Sequence, residues 1–151
     1  MNDQYLTLSI NKQTYGLLIS TIREINRISE ITPVPDSPPH VVGVMNLRGK
    51  VIPVVDLRMR LRSPSTEITK ETCTVVVETQ GKHIGIIVDS VSSVIVLEEG
   101  NIDRTPVAQE GANYVTGVGT IDSSMVLLLD IEKCLNQDLV SEVSNQESLA
   151  A

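Results

Sequence analysis

Residues 41–61 read V-V-G-V-M-N-L-R-G-K-V-I-P-V-V-D-L-R-M-R-L, with two runs rich in β-branched residues flanking Asn46-Leu47-Arg48-Gly49. Such runs favour strands, and Gly49 can adopt the positive φ that a tight hairpin turn requires. Asp56 follows the second run, where its carboxylate can accept hydrogen bonds from the first backbone amides of a short helix over residues 57–61. The stretch therefore predicts a β-hairpin with Arg48 at its tip, followed by one helical turn.

The same pattern returns later in the chain. Residues 117–135 align without a gap with residues 43–61, at an offset of 74 positions, and Asp130 takes the place of Asp56. Upstream, residues 84–91 echo residues 15–22 at an offset of 69 positions. A unit present twice indicates two similar β structures rather than a solenoid, which needs three or more stacked repeats.

The remaining segments are predicted from alternation, turn residues and prolines. The expected strands are residues 5–10, 15–19 and 24–31 in the first copy, and 73–77, 83–88, 91–97, 114–118 and 125–129 in the second, with a short capped helix over 130–135. The expected irregular segments are a turn at 20–22, a Pro-rich loop at 32–40, a polar connector at 62–72, an acidic loop at 98–112 and a brief helical extension with a frayed end over 136–151.

Composition is typical of a globular protein that can bury a real core. Of the 151 residues 41% are hydrophobic, no apolar run approaches the roughly 20 residues of a membrane span, and the first residues lack the features of a signal peptide. Cys73 and Cys134 lack a metal-ligand spacing and are expected to be reduced core residues. These features predict a cytoplasmic protein.

Charge is unevenly distributed over a chain whose formal net charge is −7. Residues 41–62 contain one acidic residue, Asp56, and five basic ones: Arg48, Lys50, Arg58, Arg60 and Arg62. The second copy replaces Arg48 by Asp122 and Arg58 by Glu132. We therefore expect one basic face on an acidic body, with function located where the copies differ. The alternative is an ordinary solvated charge cluster.

Signatures of enzymes are absent from the sequence. It contains no phosphate-binding loop, dinucleotide fingerprint, H-E-x-x-H or G-x-S-x-G motif, and His40 and His83 stand apart from cysteines and carboxylate clusters. The remaining enzymatic alternative is a hydrolase that uses the repeated Asp56 and Asp130 as an acid pair. Helix capping explains both aspartates without catalysis.

Nucleic-acid binding is disfavoured by composition. Small barrels that bind single strands stack bases on aromatic side chains and follow phosphates with a basic groove. This chain has three tyrosines, no Phe, no Trp and an acidic balance. The sequence therefore predicts no nucleic-acid partner.

The motif G-V-x-N-L-R-G-x-V-x-P-V-x-D-L-R at residues 43–58 resembles the signature of the CheW family, the coupling proteins of bacterial chemotaxis. The resemblance extends over residues 5–135 through further ordered matches: Tyr15-Gly16, Glu24-Ile25, Val34-Pro35, residues 84–91 and residues 128–131. It implies an all-β fold with short helices, in which two five-stranded SH3-like barrels pack on each other. We expect a single domain over residues 1–140, with a first barrel at about 14–62, a second at about 72–135, each closed partly by chain from the other copy, and a frayed tail at 141–151.

The resemblance also implies a function without a cofactor or a metal. Members bridge the cytoplasmic tip of a chemoreceptor to the regulatory domain of the kinase CheA, with further CheW copies present in receptor arrays. The length of the chain suggests a stand-alone adaptor, since CheA and CheV relatives carry additional domains. Leu6 and Leu8 replace aromatic residues that are common in the first strand of the family.

Two sets of binding residues follow from the resemblance and the repeat. The expected receptor-binding residues are Ile22, Glu24, Asn46, Arg48 and Gly49, with Arg48 oriented by Glu24. The expected kinase-binding residues, in the second copy, are Ile84, Gly85, Ile86, Val91 and Val94.

Overall fold

The computed structural model describes residues 2–28, 30–37, 41–104 and 114–135. The predicted extension and tail over 136–151 lie outside the described residues, as does the part of the 98–112 loop after Arg104. Within the described ranges, no helix has the length and apolar character needed to cross a bilayer.

Eleven strands and two short helices follow one another along the described chain. The strands are β1 (Asn2–Ile10), β2 (Gln13–Leu18), β3 (Ile22–Arg27), β4 (Val41–Leu47), β5 (Lys50–Asp56), β6 (Cys73–Thr79), β7 (Lys82–Val88), β8 (Ser90–Glu98), β9 (Ile102–Asp103), β10 (Val115–Ile121) and β11 (Ser124–Leu129). The helices are α1 (Leu57–Arg60) and α2 (Ile131–Leu135), and single 3-10 turns cover Ile19–Thr21 and Glu99–Asn101. The predicted hairpins and both capped helices are present. The main differences are that β3 covers Ile22–Arg27 instead of residues 24–31 and that β9 lies inside a segment predicted to be a loop.

The hairpin turns are two residues long and place both residues in the left-handed region. At the β4–β5 tip, φ is 52° for Arg48 and 85° for Gly49. Turns of this kind match the right-handed twist of the flanking strands. Arg48 therefore lies at the tip of the hairpin, as predicted.

The strands form two sheets that exchange chain between the two copies of the repeat. The five-stranded sheet has the order β3-β6-β7-β5-β4, and the six-stranded sheet has the order β8-β1-β2-β11-β10-β9. Each sheet thus takes its central hairpin from one copy and its remaining strands from the other. This exchange is larger than the predicted ranges 14–62 and 72–135 imply, because the whole first hairpin of each copy lies in the sheet of the other copy.

Each sheet closes into an SH3-like barrel through the chain that follows its edge strand. In the five-stranded sheet, Thr32 exchanges two backbone hydrogen bonds with Val44 of β4, at 2.8 and 2.9 Å. In the six-stranded sheet, β9 follows β8 and pairs with β10, with Asp103 opposite Val118. Val44 and Val118 correspond in the repeat, so β9 is the longer counterpart of the Thr32 bridge. It adds a sixth strand to the five predicted for this barrel.

Many strands bury both faces, which explains their continuous aliphatic runs. Val75 and Val77 of β6 belong to a central cluster shared by the two sheets, whereas Val76 between them belongs to a cluster inside the five-stranded barrel. In the six-stranded barrel, Leu128 and Leu129 divide in the same way. The central cluster includes residues from both sheets and packs them against each other.

Candidate partner-binding site

Arg48 and Glu24 form an exposed ion pair where the five-stranded barrel closes. Arg48 reaches from the β4–β5 tip to Glu24 on β3, the opposite edge strand. Its Nη1 donates to Glu24 Oε1 at 3.3 Å, and its Nη2 donates to Oε2. Asn26 Nδ2 donates to the same Oε1 at 2.9 Å. The predicted pairing of Arg48 with Glu24 is present.

The electrostatics of this pair favour the ionised form of the Glu24 carboxyl. The hydrogen bonds from Arg48, followed by the bond from Asn26, hold the pKa of the Glu24 carboxyl below its ordinary value. The Arg48 side chain remains 75% exposed. Its fork is therefore held in one direction while its other N–H groups face solvent, where they can donate to a carboxylate or carbonyl of a partner.

The other predicted receptor residues support or adjoin this fork. Asn46 Oδ1 accepts a hydrogen bond of 2.8 Å from the Gly49 amide, which fixes the turn. Ile22, at the start of β3, is half-buried and packs against the central cluster. The structure thus brings Glu24, Asn46, Arg48 and Gly49 together, with Ile22 two residues before Glu24.

A row of polar contacts that sequence reasoning missed runs across the same barrel. Arg23 of β3 pairs with Glu78 of β6 at 2.7 Å, and the other oxygen of Glu78 lies 3.5 Å from Nε2 of His83 on β7. His83 Nδ1 lies 3.0 Å from Nζ of Lys50 on β5. Arg23 lowers the pKa of the Glu78 carboxyl, first through its hydrogen bond and then through its charge. No local signal reveals such a row, because its members come from four strands.

Arg58 does not belong to the predicted basic face, and this expectation is corrected. Its side chain is 2% exposed. Its Nε and Nη2 donate to the two oxygens of Asp56, each at 3.0 Å, and Nη1 donates to Asp89 Oδ1 at 3.3 Å. Nη1 and Nη2 also donate to the backbone carbonyls of Glu67 and Thr66, at 2.8 and 2.9 Å. Burial opposes the charge of Arg58, but the hydrogen bonds and charge of Asp56, and then those of Asp89, raise its pKa above the ordinary value.

Three of the five predicted kinase-binding residues are buried and unavailable for contact. Ile84 and Ile86 are 2% and 0% exposed in the central cluster, and Gly85 is buried, where an added Cβ would lie 3.0 Å from Thr74 Cγ2. Val91 packs partly against the same cluster. Val94 is 50% exposed and is the member of the set best placed to reach a partner.

The two repeated aspartates act as helix caps, as predicted. Asp56 Oδ1 accepts from the Arg58 amide at 3.0 Å, and Asp130 Oδ1 accepts from the Lys133 amide at 3.2 Å. Asp56 is buried and bound by Arg58, so its oxygens are engaged. In the described part of the chain, no group of three or more histidine, cysteine or acidic side chains is placed to hold a metal ion.

Comparison with known proteins identifies the family. The family model for the CheW-like domain matches residues 4–139. The chain belongs to the CheW-like family. It is 29% identical over 147 residues to the chemotaxis protein CheW of Klebsiella aerogenes, covering 96% of this chain and 89% of that protein. It is 32% identical to the CheW of Thermotoga maritima, covering 92% and 91%, and 35% identical to that of Bacillus subtilis, covering 77% and 72%.

A solved CheW structure has the same fold. The crystal structure of the scaffolding protein TtCheW from Thermoanaerobacter tengcongensis superposes with a TM-score of 0.84 at 29% identity, covering 92% of this chain and 96% of that one. The predicted family and fold are therefore confirmed. The CheW-like chain is a scaffold of chemotaxis signal transduction and not an enzyme, so the hydrolase alternative based on Asp56 and Asp130 is wrong.

Proposed function

We propose that this CheW-like protein couples the cytoplasmic tips of chemoreceptors to the regulatory domain of the kinase CheA, in the cytoplasm and in arrays that include further CheW copies. The observation that carries the receptor assignment is the Arg48 fork, which is exposed and yet held by Glu24. The names of the relatives support the chemotaxis context.

Arg48 is suited to recognise a receptor carboxylate or a helix-end carbonyl. A guanidinium that is already oriented loses less conformational freedom on binding than a free one. Glu24 offsets only part of its charge in water, so the fork still attracts an acidic partner. Asn46 and Gly49 hold the tip in a shape that presents Arg48, and half-buried Ile22 offers apolar surface on β3, the strand that carries Glu24.

Substitution of Arg48 tests the receptor assignment. Arg48→Ala should weaken binding to the receptor tip by about 1–3 kcal/mol in a calorimetric titration, as expected for the loss of a charge-assisted contact. The matched control is Arg62→Ala, which removes an exposed arginine from the connector. Equal receptor affinities for Arg48→Ala and the wild type would leave Arg48 as a structural residue of the hairpin tip.

For the kinase, we assign contact to the outer side of β8 in the six-stranded barrel. Val94 and Val96 are 50% and 48% exposed there, and edge strands are surfaces on which another β barrel can pack. Because Ile84, Gly85 and Ile86 are buried, we do not assign them to this surface. We expect a modest contact between preformed surfaces, which fits an affinity of about 1 μM.

Two parallel titrations test the division between the barrels. Val94→Asp should weaken kinase binding and leave receptor binding unchanged, whereas Arg48→Ala should do the reverse. Ile68→Asp, at an exposed apolar position in the connector, is the control for adding a charge. The division is wrong if Arg48→Ala and Val94→Asp both weaken binding to the same partner only. It is also wrong if each variant weakens binding to both partners.

A further inference from the structure

Arg58 lies at one end of the molecule. The equivalent position at the other end is Glu132, so that end has no matching arginine. In the first copy, Arg58 fills the space between Asp56 and Asp89 and is covered by the carbonyls of Thr66 and Glu67. The Asn11 amide donates to the second oxygen of Asp89 at 2.8 Å, which joins the β1–β2 turn to this end. The arginine-filled end is therefore closed.

The equivalent positions at the other end of the molecule lie beside an open cleft. The repeat offsets relate Asp56, Arg58, Asn11 and Asp89 to Asp130, Glu132, Gln80 and Ser20. Strand pairing obeys the same relation, since Leu128 pairs with Gly16 as Val54 pairs with Gly85. The cleft has a volume of about 440 Å³, and Leu18, Thr79, Gln80, Asp130 and Glu132 are among its lining residues. We call it the open end.

The open end carries uncompensated negative charge. Its lining includes Asp3, Asp130 and Glu132, for which the described residues supply no ion-pair partner. The one lining arginine, Arg104, is paired with Glu99 at 2.9 Å. Three carboxylates beside the partly exposed Leu18 form a surface suited to a cation on an aliphatic stem.

Thr79 is a second and independent sign that the open end is incomplete. The residue is among those that line the cleft, and it is 4% exposed. Its hydroxyl oxygen has no hydrogen-bond partner among the described residues. The corresponding residue at the arginine-filled end is Ile10, which needs none. A buried hydroxyl without a partner is unfavourable unless another group hydrogen-bonds to it.

We propose that the open end binds an arginine side chain of a partner protein, with its guanidinium on Asp130 as that of Arg58 lies on Asp56. An aliphatic residue beside that arginine would pack on Leu18. The occupant comes from another molecule, because residues 105–113 and 136–151, which follow Arg104 and Leu135 in sequence, contain no lysine or arginine. The described lining residues do not include Glu24, Asn46, Arg48 or Gly49, although Thr21 directly precedes Ile22 in the chain.

A peptide pair tests the proposal on the 151-residue chain. The probe is a five-residue peptide, acetylated and amidated, with Leu-Arg-Leu at its centre, and its twin has citrulline in place of arginine. Titration into the ¹⁵N-labelled protein should give saturable shifts at the amides of Leu18, Gln80 and Glu132. Citrulline keeps the shape but removes the charge, so its peptide should bind at least about tenfold more weakly.

Variants of the protein make the test specific. Asp130→Asn keeps a good helix cap and should weaken binding of the arginine peptide about tenfold, whereas Asp122→Asn, which removes the same charge at the β10–β11 turn, should not. Glu132→Arg supplies the missing arginine in the same chain and should abolish peptide binding and raise Tm. Arg48→Ala should bind the peptide like the wild type, so failure here is distinguishable from failure of the receptor assignment. Equal binding of both peptides, unchanged binding to Asp130→Asn, or shifts at other residues would overturn the proposal.

Discussion

The units over residues 43–61 and 117–135 have the same hairpin and capped helix but use their variable positions differently. At the hairpin tip, Arg48 stands exposed where the second unit has Asp122. In the helix, Arg58 is buried between two aspartates where the second unit has exposed Glu132. The comparison teaches that the aliphatic pattern and the capping aspartate specify the backbone. The charged positions are then free to become a binding fork in one place and a structural bridge in another.

The largest expected effect comes from removing the buried bridge. Arg58→Met leaves the Asp56 carboxylate and two connector carbonyls without their donor, so the free energy of unfolding should fall by about 3–5 kcal/mol. Urea denaturation monitored by circular dichroism measures it. Glu132→Gln, at the matched position, should stay within about 0.5 kcal/mol of the wild type. Similar losses in the two variants would show that Arg58 has no special structural role.

A smaller difference is expected at the matched glycines of β4 and β10. Gly43 has φ of 147°, and an added Cβ would lie 2.1 Å from the Thr32 carbonyl oxygen, in the bridge that closes the barrel. Gly43→Ala should therefore cost about 3 kcal/mol of unfolding free energy. At Gly117 the nearest atom would be Ile102 Cγ2 at 2.8 Å, a side-chain atom that can move. Gly117→Ala should cost about 1 kcal/mol, and equal costs would mean that the two closures are equally tight.

Local structure was predictable from sequence, whereas the roles of several side chains were not. Each hairpin and cap depends on neighbouring residues, so alternation, turn residues and Asp56 were sufficient. The burial of Arg58 depends on carbonyls eight and nine residues away and on Asp89 of another strand, which no local pattern reveals. The burial of Ile84 and Ile86 did have a signal. A run of apolar residues without polar alternation indicates a strand covered on both faces.

Positions 60 and 134 also correspond in the repeat. Arg60 makes a contact with an aromatic ring, whereas Cys134 is a buried core residue. Arg60 lies over the ring of Tyr114, with Cζ 5.6 Å from the ring centroid, so Arg60→Ala should cost about 0.5–1 kcal/mol. Cys134 is fully buried, and burial raises the pKa of its thiol to about 12, so it packs as a neutral group. Cys134→Ser should cost about 1–2 kcal/mol, because the hydroxyl loses its water without a new partner. Urea denaturation measures both losses of unfolding free energy. A larger loss for Arg60→Ala than for Cys134→Ser would contradict this distinction.

The smallest expected effect concerns the stability contributed by the Arg48 and Glu24 pair at the exposed tip. Because the folded-state pKa of Glu24 is lowered, its contribution is present above the unfolded-state pKa and is lost as pH falls through the folded-state value. Glu24→Gln should therefore lower Tm slightly at neutral pH, and the difference from the wild type should vanish well below about pH 4, the ordinary range of a glutamate. High salt should reduce the difference at neutral pH, because the pair is exposed and screened.

The control is Asp122→Asn, at the matched hairpin tip. Asp122 has no ion pair among the described residues, so this variant should show no such pH dependence. Thermal unfolding of the three proteins between about pH 3 and pH 8 measures the effect, and a difference for Glu24→Gln that persists at the acid end would show that the glutamate stabilises the barrel other than through its charge.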